Sequence, residues 1–163
     1  MFIASYAPTL EVSEKKPAIR DEYYQELESI INTVSKRDIL IVGGDQNAKL
    51  GTGHEEYPES IGHYGKGAIN SNGKYLAEMC MRNGIVLTNT MFKHKMSHRT
   101  TWEGPSRINE QLDKNGEVRR NPYRNQIDFI MMRNTHRLFI QDSRQLAQNR
   151  CICQVVVNCN ISS

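Results

Sequence analysis

The chain has 163 residues, 38% of them hydrophobic and 24% charged, which suits one soluble domain with a modest core. The net charge of +3 is compatible with a polyanionic partner but is too small to demonstrate one. No apolar stretch reaches membrane-spanning length and no charged-then-apolar leader opens the chain, so no membrane partner is expected. Cys80, Cys151, Cys153 and Cys159 lack paired metal-binding spacing, and a reduced, intracellular compartment is the expected setting, nuclear or cytoplasmic.

In chain order, Phe2 to Tyr6 reads as a short strand running into Pro8. From Pro17 the pattern becomes helical, with Ile19, Tyr23, Leu27, Ile30 and Val34 recurring at steps of three or four. Ile39-Leu40-Ile41-Val42 is a continuous apolar run before Gly43-Gly44, and it reads as a strand buried on both faces. The stretch to Gly73 reads as loop. Ser71 or Asn72 is placed to cap a helix through Arg82, with Leu76, Met79 and Cys80 as its apolar stripe and Asn83-Gly84 as its stop. Ile85-Val86-Leu87, Thr100 to Trp102, Gln126 to Met132 and Leu138-Phe139-Ile140 read as further strands. Strands interleaved with helices predict an α/β fold around a central sheet.

Two segments carry chemistry. In Gly43-Gly44-Asp45-Gln46-Asn47-Ala48, a buried strand ends in glycines and presents Asp45 and Asn47. If strand geometry persists, residues two apart share a side. A carboxylate and an amide would then project together, able to activate a water and to bind a phosphate. An ordinary glycine-rich turn accounts for the same residues equally well. In Gln126-Ile127-Asp128-Phe129-Ile130, a carboxylate sits inside an apolar strand and calls for a fixed partner, unless the strand is an edge with Asp128 on its polar face.

Taken together, Tyr6-Ala7-Pro8-Thr9, Gly44-Asp45-Gln46-Asn47-Ala48, Gly65-Lys66-Gly67 through Asn72-Gly73, Leu87-Thr88-Asn89-Thr90, Thr100-Thr101-Trp102 and Gln126-Ile127-Asp128 resemble the endonuclease/exonuclease/phosphatase family, in that family's order. The spacing is similar to its non-LTR retrotransposon endonuclease branch, and the resemblance covers roughly residues 1–145, leaving 146–163 as a divergent tail. It implies a four-layer αββα sandwich of the DNase I-like kind, and a phosphodiesterase that uses Mg2+ (or Mn2+) on nucleic acid, expected to be DNA. Asp45 would activate the water, Asn47 would hold the phosphate, and both are offered as metal ligands. Tyr6 would stabilise the phosphate, with a core tyrosine as its plainer reading. Thr101 would lie at the groove floor near the substrate, although a strand threonine is the plainer reading there. Trp102 is most simply core, and Asp128 would orient a histidine.

Three departures from the pattern matter. The family's opening strands, with an asparagine and a metal-ligating glutamate, are missing, as is its closing Ser-Asp-His. Gln46 replaces an aromatic, and if Asp45 and Asn47 face the cleft it must face the layer behind, where its amide needs partners. His136 lies eight positions past Asp128 and is a poor substitute for the absent histidine. The closing residues of the chain are not zinc-like, and Gly62 to Gly67 is not a P-loop. His94 and His98, among Lys93, Lys95 and Arg99, read as a solvated basic loop able to touch a DNA backbone. The expectation is therefore an impaired, partial endonuclease-type domain. The alternatives are a non-catalytic remnant that binds or does nothing, and a phosphatase acting on small or lipid phosphates. Incomplete sheets would leave Phe2 and Ile3 at an exposed edge, and would give a poorly soluble or oligomeric protein with the tail, including Val155-Val156-Val157, loosely held.

Overall fold

The computed structural model describes residues 1–104, 107–112, 118–121, 123–145 and 155–159. In chain order these form β1 (Phe2–Tyr6), α1 (Leu10–Lys15), α2 (Pro17–Thr33), β2 (Ile41–Asp45), α3 (Ser71–Arg82), β3 (Ile85–Leu87), β4 (Trp102–Glu103), β5 (Arg107–Leu112), β6 (Val118–Asn121), β7 (Arg124–Asn125), β8 (Asp128–Arg133), β9 (Ile140–Gln145) and β10 (Val155–Cys159). Short 3-10 turns cover Thr88–Thr90, Met96–His98 and Asn134–Phe139.

The central sheet has the order β1-β2-β8-β3. β1 and β2 run parallel, and β8 runs antiparallel to both β2 and β3. One face carries Val42, Phe129, Met131, Ile85 and Leu87 into a core shared with Tyr24, Leu27 and Ile31 of α2 and Leu76, Met79 and Cys80 of α3. The stripe expected for α3 is therefore the buried one. The α2 stripe is rotated: Tyr24, Leu27, Ile31 and Val34 are buried, Tyr23 flanks them, and Ile19 is exposed. Both registers fit a 3.6-residue period, and the sheet's position selects between them.

Several boundaries differ from the sequence reading. α1 follows Pro8 where no helix was expected, because Thr9 caps it by accepting the Val12 amide at 3.4 Å. The α3 cap is Asn70, whose side chain accepts from the Gly73 amide at 2.8 Å, and not Ser71 or Asn72. Gly84 closes that helix with φ +60, as its position implied. Residues 138–139 belong to a 3-10 turn, and only Ile140 opens a strand. β2 starts at Ile41 and continues through the glycines to Asp45. It is not buried on both faces, since Ile41 is only half-buried.

The face away from the helices is covered unevenly. Val86 and Met132 on that side are buried, close to where Thr88 meets Ser143 of β9 at 2.8 Å. At the other end of the sheet Phe2 and Tyr6 are 67% and 70% exposed. Among the described residues β1 is the outer strand of the sheet, and Phe2 lies over Gly43 with its ring largely exposed. β10 pairs antiparallel with β9, so the strand character of residues 155–157 is used there.

Gly44 is the tightest point of the sheet. Its φ is +148, and a Cβ would lie 1.9 Å from the Ser5 carbonyl oxygen. At Gly43 a Cβ would meet the Phe2 ring at 3.5 Å and the Ile130 side chain at 3.9 Å, both ordinary contacts. Gly44→Ala is therefore expected to destabilise the chain by about 2 kcal/mol or more in urea unfolding. Gly43→Ala should stay within about 1 kcal/mol of the parent by the same measurement, which separates backbone crowding from general intolerance.

Candidate active site

The end of β2 is locked before it is exposed. The Gln46 side chain is fully buried; its Nε2 donates to Ser5 Oγ at 2.8 Å and its Oε1 accepts from the Tyr23 hydroxyl at 3.0 Å. The Gln46 amide donates to the Ile127 carbonyl at 2.8 Å. The polar residue in place of an aromatic thus faces the helix layer and finds partners there, as its position required. Asp45 and Asn47, on either side, are half-buried.

The strand register lines up the candidate residues. Tyr6 is the Cα partner of Asp45, and Asp45 is the Cα partner of Asp128, across three neighbouring strands. Partners in register project on the same side of a sheet, so Tyr6, Asp45 and Asp128 form one row on the face away from the helices. Tyr6 is exposed, which removes the core-tyrosine reading. Asn47 follows in the left-handed region, with φ 44. Its amide N–H donates to Asp45 Oδ1 at 2.8 Å, and its side-chain Nδ2 donates to the Ala7 carbonyl at 2.9 Å. The side chain of Asn47 therefore ties the end of β1 to the end of β2 and leaves its oxygen as the acceptor atom.

Thr101 uses its hydroxyl to hold backbone. Its Oγ1 accepts from the Ile127 amide at 2.9 Å and the Asp128 amide at 3.1 Å, and the residue is buried. It precedes the short β4–β7 ribbon and fixes the backbone of Asp128. Trp102, expected in the core, is 40% exposed. The fixed partner anticipated for the Asp128 carboxylate is absent among the described residues; what faces it across the register is another carboxylate, Asp45. Burial first, and the Asp128 charge as well, raise the Asp45 pKa above the usual carboxylate range, against the hydrogen bond from the Asn47 amide, which lowers it.

Two features escaped the sequence reading. Asn72, taken as a possible helix cap, is buried and its Nδ2 donates to the Pro8 and Asn47 carbonyls, each at 3.1 Å, which braces the Asn47 turn. Asparagines at both 70 and 72 were the available signal. The His94 and His98 loop is not simply solvated. His94 Nε2 meets Asp142 Oδ1 at 2.6 Å, and His98 Nδ1 meets the Gln145 carbonyl at 2.9 Å, so β9 holds the loop. Lys93 and Lys95 remain exposed. His136 packs against Phe139, with ring centroids 5.9 Å apart, in the 3-10 turn beyond β8.

Among the described residues no three histidines, cysteines, aspartates or glutamates come together as a metal cluster. A pair of carboxylates is nonetheless the kind of donor set that Mg2+ accepts, since it keeps several waters and completes its shell with substrate phosphate. The like-charge pairing at Asp45 and Asp128 is the observation that fits a cation.

A raised folded-state pKa means that the folded chain favours protonated Asp45. The stability this gives is fully present below the unfolded-state carboxylate range and is lost as pH rises through the folded value. Asp45→Asn is therefore expected to stabilise the chain at neutral pH, with a higher Tm, by less than about 1 kcal/mol because the group is half-exposed and screened. The advantage should vanish below about pH 4. Thermal melts of both proteins at the two pH values check this, and a variant equally less stable at both would contradict it.

No protein-family model matches the chain. It is 32% identical over 142 residues to craniofacial development protein 2 of Bos taurus, and 30% identical over 142 residues to the protein of that name from Tragulus javanicus. Each match takes in 87% of this chain but 21% of the relative, so the chain spans about a fifth of the length of these curated proteins. Among solved structures, the endonuclease domain of TRAS1, a telomere-specific non-LTR retrotransposon, shares the fold with a TM-score of 0.55 at 15% identity. That match covers 88% of this chain and 52% of the other. Likeness in sequence relates this chain to craniofacial development protein 2, and likeness in architecture gives it the DNase I-like fold of that endonuclease domain.

Proposed function

We propose that the chain is an endonuclease-type phosphodiesterase unit acting on nucleic acid, with DNA as the substrate, and that its catalysis is weak as it stands. The observation that carries this reading is the row of Tyr6, Asp45 and Asp128 in register at one end of the sheet, beside the Asn47 turn. Asp45 has a raised pKa and so is a stronger base than an ordinary carboxylate, suited to taking a proton from an attacking water. The oxygen of the Asn47 side chain, whose nitrogen is tied to the Ala7 carbonyl, would accept from the attacking water, and the exposed Tyr6 hydroxyl would donate to the phosphate. Asp45 and Asp128 are the residues that would hold Mg2+ (or Mn2+), which when bound offsets charge on the phosphate and the leaving oxygen. Weak catalysis follows because, among the described residues, no third carboxylate joins the pair and no histidine meets Asp128.

Incubation of the purified chain with supercoiled plasmid and Mg2+ tests the reading. The expected result is slow nicking, at least about 100-fold below a complete centre, reduced further in Asp45→Ala and in Asp128→Ala. Nicking that is unchanged in both variants would remove these residues from the reaction. No nicking at any concentration, with DNA binding retained, would favour a non-catalytic binding remnant.

A further inference from the structure

Beside the carboxylate row lies a strip of cations and aromatic rings that the reaction does not use. Lys49 follows Asn47 by two residues, and Trp102 follows Thr101, whose hydroxyl accepts from the Asp128 amide, so the strip adjoins two segments that carry the site. Lys49 Nζ reaches the Tyr123 hydroxyl at 2.6 Å and lies 4.8 Å from the centre of that ring. The Tyr123 and Trp102 rings stand edge to face, with centroids 6.2 Å apart at 83°, and each residue is 40% exposed. The Trp102 indole lies over Gly104, where a Cβ would come within 2.3 Å of the ring. The glycine thus seats the indole against backbone and leaves its remaining surface to solvent.

The charge around these rings is one-sided. Arg124 is paired with Glu103 at 3.3 Å, but among the described residues Lys49 and Lys66 form no ion pair. Lys66 Nζ rests on the Thr100 hydroxyl at 3.1 Å. Burial, then the neighbouring Arg124 and Arg99 charges, pull its pKa below the usual lysine range. Arg99 donates to the Tyr64 carbonyl at 2.9 Å, while its buried Nε has no hydrogen-bond partner among the described residues. Crowded cations with a spare buried donor are stabilised by an anion, and exposed rings among them stack on flat apolar surfaces. A nucleic-acid strand offers both, provided its bases are not already stacked in a duplex.

We infer that Trp102 and Tyr123, with Lys49, Lys66, Arg99 and Arg124, form a subsite that binds an unpaired segment of a DNA strand next to the carboxylate row. The cations take the phosphates and the rings take the bases. The inference rests on the nucleic-acid reading above, but not on hydrolysis.

Trp102 is the sole tryptophan of the chain, so its intrinsic fluorescence reports on the strip alone. Titration of the full chain with short oligodeoxythymidylate, in EDTA at low salt, should give saturable quenching. Lys66→Gln and Arg124→Gln should each weaken binding several-fold and lower the slope of log affinity against log salt by about 0.7. Trp102→Ala, followed by anisotropy of a labelled oligonucleotide, should weaken binding about tenfold. Absence of quenching, equal quenching by a duplex of the same length, or quenching unchanged in both charge variants would each overturn the inference. Quenching in EDTA without plasmid nicking in Mg2+ would leave the strip standing and remove the phosphodiesterase reading. Nicking without quenching would do the reverse.

Discussion

The arrangement of the site depends on one buried amide. Gln46 binds Ser5 of β1 and Tyr23 of α2 through its side chain, and Ile127, just before β8, through its backbone. A primary amide in an apolar layer is costly unless each end is satisfied. Satisfying it here fixes the order of layers: the helix lies behind the strand end, and the residues on either side of Gln46 must turn the other way. The outward direction of Asp45 and Asn47 is a consequence of where Gln46 finds its partners.

On the outward side the same geometry sets up an opposed pair. Asp45 and Asp128 are register partners, so two carboxylates share one end of the sheet. The Asn47 amide and the Thr101 hydroxyl meet the surrounding backbone and carboxylate groups, but no cationic side chain meets the acids in the described residues. The cations collect one step away, around Trp102 and Tyr123. Negative charge at the centre and positive charge on the flank is the distribution expected where a polyanion is held beside a cation site.

The uneven cover of the sheet has its own consequence. Helices close one face, and among the described residues β9 closes the other near β3 and β8. Phe2 and Tyr6 are left open on the β1 side, along a strand whose outer edge is unpaired among the described residues. Such edges template association with further strands. The chain aligns with about half of the solved endonuclease domain, so much of that neighbour's architecture has no counterpart in the aligned region.

Period and punctuation alone determined much of the framework. The α3 stripe, the β1 and β3 strands, the helix from Pro17 and the polar layer demanded by Gln46 follow from spacing and from the cost of burying an amide. The order of short motifs pointed to the DNase I-like fold. Tertiary structure decided what local rules leave degenerate. It chose Tyr24 and Ile31 over Ile19 and Ile30 as the buried α2 face, because both sets satisfy the helical period. It turned Thr101 inward to hold Asp128 and left Trp102 outward, on a two-residue strand paired with β7. It brought Asp142 to His94 across 48 positions, a pairing that no local pattern encodes. Above all it set Tyr6, Asp45 and Asp128 in one row, because strand register is fixed by which faces are buried and not by distance along the chain.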